Sequence, residues 1–273
     1  MKINFAFFGT DNFSVVVLEK LKKAELLPAL IITTPDKPQG RGLVLTPPPV
    51  KLWAQQHRIK LLQPEKLDAV PAHQLFVVAS YGKIIPKEIL EIPEKGALNL
   101  HPSLLPRYRG ATPIESQILN DEKEIGVTVI LMDEQVDHGA ILAQRKIETK
   151  SRKILAEEGG KLLAETIPRW LAGEIEPKPQ DETKATYTKK LTKEDGEINL
   201  AENPYQNFLK IRAFEGSIGS YFFAEKPGKK IRVGIKSALY ENNTLTITRV
   251  VPEGKKEMSY EEFLCGLRIK KSL

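Results

Sequence analysis

The sequence has a single cysteine, Cys265, among 273 residues, so no disulfide can form within the chain. It has no apolar run approaching the roughly 20 residues that a membrane-spanning helix needs. A strand-like apolar segment follows Met1 directly, without the charged and apolar regions of a secretory leader. A chain of this kind suits a reducing compartment. We therefore expect a cytoplasmic protein that does not associate with membranes.

Motifs for nucleotides and metals are also missing. The first apolar run ends at Gly9 without the Gly-x-Gly-x-x-Gly of dinucleotide sites, and there is no Gly-Lys-Ser/Thr phosphate loop. The four histidines, at positions 57, 73, 101 and 138, form no zinc-like cluster with the distant cysteine. We expect neither a metal nor a nucleotide cofactor.

Charge is abundant and unevenly distributed. The net charge is +6, and residues 190–273 carry fifteen basic and eleven acidic side chains. A basic C-terminal third is compatible with a polyanionic partner such as nucleic acid. On charge alone, however, a solvated surface that favours solubility is the simpler explanation.

Short apolar strands alternate with segments of helical periodicity in the first 171 residues. The predicted strands are 3–8, 29–33, 75–79, 97–101, 127–132 and 141–147, and the predicted helices are 13–21, 50–57, 112–119 and 152–171. This alternation predicts a Rossmann-like, open and mostly parallel α/β sheet. Sheets of this class bind ligands at the carboxyl ends of their strands.

The pattern changes after residue 173, where turn residues replace apolar periodicity. We predict a domain over 1–180, a linker over 181–190 and a second domain over 191–273. The second domain has a predicted helix at 205–214 and predicted strands at 220–223, 231–239 and 244–251, with a hairpin turn at Asn242-Asn243. We expect a small OB-like β-barrel, a fold that often binds nucleic acid but does not establish that function.

Three polar residues are candidates for chemistry. Asn99 and His101 share one face of a strand that stops at Pro102, and together they can donate two hydrogen bonds to a developing oxyanion. An ordinary pair that caps the following loop explains them equally well. Asp137 follows the strand 127–132 and can orient His101 or take a proton, although an Asx turn with Gly139 is also consistent with its position.

A long loop rich in proline and glycine follows the second predicted strand. It runs from Pro35 to Gly42 and continues to Lys51. Loops of this length inside a compact domain are usually functional. Glycines flank Arg41 and would let it project towards a phosphate or a base. The alternative is a flexible surface loop.

The run from Asn99 to Gly110 reads Asn-Leu-His-Pro-Ser-Leu-Leu-Pro-Arg-Tyr-Arg-Gly. With Asp137-His138-Gly139 and the segment 78–82, it resembles the folate-dependent formyltransferase family. The resemblance implies formyl transfer from 10-formyltetrahydrofolate, with Asn99, His101 and Asp137 as the catalytic residues. The folate contacts that it implies are Ser103, Leu104, Leu105, Pro106, Tyr81, Gly82, Ile84 and Ile85.

The acceptor is inferred from other segments. The loop of Pro35–Gly42 and the C-terminal domain resemble the tRNA-binding parts of family members that formylate methionyl-tRNA. This implies a monomeric enzyme acting on initiator methionyl-tRNA, with Lys37, Arg41 and Lys51 as tRNA contacts. After Gly42 the chain has leucine and valine where relatives often carry lysines. The alternatives are a formyltransferase acting on an amino-sugar nucleotide or another small amine, and a non-catalytic RNA-binding module.

Overall fold

The computed structural model describes residues 3–39, 42–149, 151–226 and 229–268. The chain divides into two compact units. The first comprises Met1–Pro113 with Lys123–Thr188, and the second comprises Ile114–Glu122 with Lys189–Leu273. The helices of the described residues are α1 (Asn12–Lys23), α2 (Pro49–Gln56), α3 (Lys87–Leu90), α4 (Pro113–Leu119), α5 (Arg152–Leu171), α6 (Pro204–Phe214) and α7 (Tyr260–Arg268).

A seven-stranded sheet forms the centre of the first unit. The strands of this unit are β1 (Phe5–Phe8), β2 (Leu30–Ile32), β3 (Lys37–Gln39), β4 (Val44–Thr46), β5 (Lys60–Leu62), β6 (Leu75–Val78), β7 (Ala97–His101), β8 (Arg109–Gly110), β9 (Ile125–Leu131), β10 (Ile141–Ile147) and β11 (Tyr187–Thr188). Of these, β3 pairs with β4 and β8 pairs with β11 outside the large sheet. The order is β10-β9-β7-β6-β1-β2-β5. The last five strands in this order run parallel, and β9 is antiparallel to both of its neighbours. The mostly parallel α/β sheet expected from the sequence is confirmed.

Two adjacent glycines bring α5 close to the sheet. A Cβ atom on Gly159 would lie 2.6 Å from Cδ2 of Leu100 in β7, and one on Gly160 would lie 2.7 Å from Cβ of Lys20 in α1. Any larger side chain would therefore push α5 away from both elements. Because side chains alternate along a strand, Leu98 and Leu100 of β7 share the face that α5 covers, and the opposite face of β7 is left for other residues.

The segment expected to be an irregular Pro/Gly loop contains a short hairpin. β3 pairs antiparallel with β4, and Pro38 lies opposite Leu45. Proline is tolerated here because each strand has only one neighbour and needs hydrogen bonds on one side only. The side chains of Leu43, Val44 and Leu45 are 72%, 67% and 64% exposed.

Part of the segment 181–190, expected to be a linker, forms regular structure within the first unit. Glu182–Lys184 is a 3₁₀ turn capped by Asp181, and β11 pairs parallel with β8. The division into domains at this point stays a prediction. Residues 182–188, however, are held by hydrogen bonds and do not form a free linker.

The second unit contains an antiparallel sheet of β12 (Ser220–Lys226), β13 (Lys229–Glu241), β14 (Thr244–Pro252) and β15 (Met258–Ser259), in that order. Asn242 and Asn243 have φ angles of 48° and 59°, as a tight two-residue hairpin requires, which confirms the predicted turn. The smaller β-rich C-terminal part expected from the sequence is confirmed: its strands form one antiparallel sheet. Helix α6 packs on β13 and β14, and helix α7 packs on β14 and β15.

No helix in the described part of the chain combines the length and apolar character needed to cross a membrane.

Candidate active site

Strand β7 presents Asn99 and His101 on the face of the sheet that α5 does not cover. His101 is 3% exposed, and Asn99 is half-buried. β7 pairs with β6 and β9, which hold it from both sides: Asn99 lies opposite Val78 and Ile130, and His101 lies opposite Thr128. The two polar side chains are therefore mounted on a rigid central strand.

The connection between β9 and β10 brings Asp137 to this face. The connection folds tightly because Gly139 approaches the end of β9: a Cβ atom on Gly139 would lie 1.9 Å from the carbonyl oxygen of Leu131. Asp137 itself adopts a φ angle of 51°, in the left-handed region that few residues other than glycine occupy. The loop thus holds Asp137 in a conformation that needs support from its surroundings.

One carboxylate contacts both residues of β7. Asn99 Nδ2 donates to Asp137 Oδ1 at 3.1 Å, and His101 Nδ1 lies 3.4 Å from Asp137 Oδ2. The side chain of Asp137 is 12% exposed. The structure therefore gathers the three sequence-predicted catalytic residues into one cluster.

Both ring nitrogens of His101 face oxygen acceptors. Nε2 lies 2.9 Å from the carbonyl oxygen of Tyr108, which can only accept, so Nε2 carries a proton and donates. Nδ1 faces the Asp137 carboxylate. Burial by itself lowers the pKa of His101, but the Asp137 carboxylate and the Tyr108 carbonyl outweigh it and raise that pKa above the ordinary value. His101 is thus favoured as the imidazolium.

The Asp137 carboxylate is held in its ionised form. Burial by itself raises the pKa of Asp137, but His101, the backbone N–H of Gly110 and the charge of Arg109 together lower it below the ordinary value. The Gly110 N–H donates to Asp137 Oδ2 at 2.8 Å. The site therefore contains a buried ion pair with a hydrogen bond from the backbone.

Two of these contacts come from backbone atoms that the sequence did not reveal. Tyr108 precedes β8 and Gly110 ends it, and both have left-handed φ angles, 65° and 109°. A Cβ atom on Gly110 would lie 2.7 Å from the carbonyl oxygen of Thr188 in β11. Glycine at this position was visible in the Arg-Tyr-Arg-Gly run, but its donor role depends on how the chain folds back.

The comparisons with known proteins cover nearly the whole chain. The formyl transferase family model matches residues 1–165. A methionyl-tRNA formyltransferase from Halalkalibacterium halodurans is 38% identical, over 97% of this chain and 95% of its own length. The chain belongs to the formyl transferase family. It is therefore an enzyme of one-carbon transfer.

Solved structures agree on the fold. A methionyl-tRNA formyltransferase from Clostridium thermocellum aligns with a TM-score of 0.62 at 18% identity, covering 94% of this chain and 99% of its own. An N-formyltransferase from Helicobacter canadensis aligns with a TM-score of 0.60 at 21% identity, covering 88% and 89%. At these identities the likeness supports the fold alone.

In this family member the predicted folate run after β7 forms a rigid turn. The Ser103 hydroxyl is fully buried and donates to the Arg107 carbonyl at 2.6 Å. Thr128 Oγ1 donates to the Ser103 carbonyl at 2.6 Å and accepts from the Leu105 N–H at 3.1 Å. The side chains of Ser103 and Leu105 thus point into the protein, and Leu104 and Pro106 are half-buried.

The other predicted folate residues follow β6, and they differ in exposure. Tyr81 and Ile85 are 2% and 7% exposed and belong to the core, whereas Ile84 is 85% exposed. Gly82 is exposed, has a φ angle of 77° and has open space where a side chain would be. Because β6 and β7 are parallel neighbours, the segments that follow them leave the same edge of the sheet.

The three predicted tRNA contacts differ in their structural environment. Lys37 is exposed in β3. Lys51 Nζ is bound to Asp36, 2.7 Å from Oδ2, and together with Gln63 it lowers the pKa of that carboxyl. Arg41 lies outside the described residues. Lys51 therefore anchors the loop at its base.

The described residues contain no group of three or more His, Cys, Asp or Glu side chains placed to hold a metal ion.

Proposed function

We propose that this enzyme transfers the formyl group of 10-formyltetrahydrofolate to the α-amine of methionine on initiator tRNA, with Asn99, His101 and Asp137 as its catalytic residues. The observation that carries the proposal is the cluster of these three side chains in a chain that aligns over nearly its whole length with methionyl-tRNA formyltransferases.

The reaction begins when the neutral α-amine attacks the formyl carbon. A C–N bond forms, and the carbonyl oxygen becomes an oxyanion. Asn99 has two amide N–H groups, of which Asp137 accepts one, and the second donates to the oxyanion. A fixed donor of this kind stabilises the transition state because its dipole needs no reorganisation.

Proton transfer completes the reaction. The attacking amine loses a proton, the bond from the formyl carbon to N10 breaks, and N10 of tetrahydrofolate gains a proton. The ionised Asp137 accepts the proton from the amine, directly or through water. His101 keeps Asp137 ionised and adds positive charge near the oxyanion. The sequence predicts that His101 donates to the oxyanion. Because both of its ring nitrogens face other oxygens, we propose that it acts on the oxyanion through its positive charge.

The folate is proposed to bind along the edge of the sheet where β6 and β7 end. Exposed Ile84 and the open space at Gly82 offer an apolar wall and room for a flat ring. The Helicobacter canadensis neighbour was solved with folinic acid and dTDP-3-aminofucose, which supports a folate-type donor for the shared fold.

The second unit offers a surface suited to the tRNA. Phe223 on β12 is exposed on the sheet face opposite the apolar core, whereas Tyr221 on the same face is buried. Lys230 Nζ lies 4.6 Å from the centre of the Phe223 ring, and Arg232 Cζ lies 3.7 Å from that of Tyr221. The exposed Phe223 ring can stack on a base while Lys230 and Arg232 pair with phosphates.

Sequence relationship favours tRNA over an amino-sugar acceptor. The relatives that match at 38% identity over almost the full length are methionyl-tRNA formyltransferases, whereas the amino-sugar enzyme is similar in fold alone. The assembled catalytic cluster counts against a non-catalytic RNA-binding module, because RNA binding alone does not require these three polar residues to be in contact.

The acceptor is tested by offering the purified protein 10-formyltetrahydrofolate with three acceptors: methionyl initiator tRNA, methionyl elongator tRNA and a panel of amino-sugar nucleotides. We expect transfer to the initiator tRNA only. Transfer to a sugar but not to tRNA would overturn the acceptor while leaving the catalytic residues in place. Absence of any transfer would overturn the proposed reaction.

A further inference from the structure

Arg109 is the largest fully buried side chain of the protein's described residues, and it is charged. Its guanidinium forms a two-pronged ion pair with Glu182, with N–O distances of 2.6 and 2.9 Å. It also donates twice to Gln180 Oε1, at 2.8 and 3.1 Å, and once to the Tyr187 hydroxyl. The guanidinium N–H groups that point towards the segment 180–187 therefore all have acceptors there.

These bonds fix the orientation of the Gln180 amide. Its oxygen accepts from Arg109, so its NH₂ group must point the other way. That group donates to the carbonyl oxygens of Asp137 and Gly139, both at 2.8 Å. Gln180 therefore connects the buried arginine to the loop that carries Asp137.

A second contact joins the same two segments. His138, next to Asp137, has Nε2 3.6 Å from Glu182 Oε1 and Nδ1 2.6 Å from Asp133 Oδ2. The Glu182 carboxylate thus lies between Arg109 and the loop. The loop is held on both sides of Asp137, whose left-handed backbone would otherwise be free to relax towards more favourable angles.

The arginine is also placed between the two backbone groups that bind the catalytic pair. Tyr108 supplies the carbonyl that accepts from His101, and Gly110 supplies the N–H that donates to Asp137. Holding the side chain of the residue between them fixes both groups. The same network therefore binds Asp137 at two places: Gly110 binds its carboxylate, and Gln180 binds its backbone carbonyl.

We propose that Arg109 and Gln180 form a clamp that sets the position of the Asp137 carboxylate, which makes both of them positioning residues for formyl transfer. The effect on formyl transfer rests on the function proposed above, whereas the effect on the position of Asp137 does not. Misplacing a catalytic group by about 1 Å can cost roughly 10²-fold in rate, and the clamp holds Asp137 within hydrogen-bond reach of Asn99.

Two variants of Gln180 test the clamp. Gln180→Glu keeps oxygen acceptors for Arg109 but cannot donate to the two loop carbonyls, and Gln180→Met removes both kinds of contact at similar volume. For both we expect kcat to fall by roughly 10- to 100-fold while the KM values for the formyl donor and for methionyl-tRNA stay within about threefold. The matched control is Asp181→Asn, which removes the ion pair with Lys184 in the same segment without touching the Asp137 loop, and it should keep the wild-type kcat.

A second measurement needs no substrate. If the clamp holds Asp137 against His101, NMR titration of the His101 ring should give a lower pKa in both Gln180 variants than in the wild type and in Asp181→Asn. An unchanged kcat, or a loss confined to KM, together with an unchanged His101 pKa would overturn the clamp. If the wild type transfers no formyl group, the proposed function fails, and the His101 titration alone then tests whether the clamp exists. One folded Gln180 variant is enough for that test.

Discussion

At the scale of single residues, His101 and Asp137 set each other's charge. His101 donates to a backbone carbonyl with one nitrogen and faces a carboxylate with the other, so a neutral ring would leave a lone pair pointing at an anion. Asp137 in turn has three hydrogen-bond partners for its two carboxylate oxygens. An attacking amine therefore meets a preformed ion pair whose charges are already placed.

The charge of His101 is the first testable consequence. We expect NMR to place its pKa above the ordinary 6.5 in the wild type. In Asp137→Asn only burial and the Tyr108 carbonyl remain, so the pKa should fall. Because the folded pKa is raised, the contribution of this ion pair to stability is complete below 6.5 and is lost as pH rises through the raised value. A His101 pKa below 6.5 in the wild type would contradict the ion pair.

At the scale of elements, two features bring the site together. Side chains alternate along β7, which puts Asn99 and His101 on one face, and the tight β9–β10 connection brings Asp137 to that face. Asn99 and His101 could be assigned to one face from their spacing, and the bounds of β7, β10 and α5 agree with the sequence because their apolar patterns are regular. The hairpin of β3 and β4 was missed because Pro38 argues against a strand. The role of Gln180 could not be predicted, because its partners, Arg109 and the Asp137 loop, lie 41 or more positions away in sequence.

The close approach of Gly139 to β9 predicts an effect on stability. Gly139→Ala places a methyl group against the Leu131 carbonyl, and we expect it to lower the free energy of unfolding by about 1–3 kcal/mol. Gly266→Ala in α7 is the control, since a Cβ atom there meets open space and alanine in a helix should stabilise by about 0.5–1 kcal/mol. Chemical denaturation measures both, and equal stabilities of Gly139→Ala and the wild type would show that the loop is not packed as described.

At the scale of the whole molecule, the two units divide the work of the proposed reaction. The first carries the buried catalytic cluster on a parallel sheet, and the second carries a basic and aromatic sheet face with Phe223, Lys230 and Arg232 exposed. The net positive charge of residues 190–273 was visible in the sequence, but its arrangement beside aromatic rings was not, because it depends on the register of β12 with β13.

The basic sheet face predicts how tRNA binding depends on salt. Arg232→Gln should weaken methionyl-tRNA binding and reduce the slope of log K against log salt by about one, if the guanidinium contacts one phosphate. Lys66→Gln, which changes an exposed lysine of the first unit paired with Asp68, should leave the slope unchanged. Equal slopes for Arg232→Gln and the wild type, measured by filter binding, would exclude this face from the contact with tRNA.

The catalytic cluster is tested most directly by formyl transfer in Asp137→Asn. With 10-formyltetrahydrofolate and methionyl initiator tRNA both saturating, we expect kcat to fall by roughly 10²–10⁴-fold relative to the wild type, because the amide cannot accept the proton of the amine. Affinity for the folate should stay within a few-fold, and the thermal unfolding profile should remain cooperative. A kcat within tenfold of the wild type would contradict the assignment of Asp137, and with it the account of how this site transfers a formyl group.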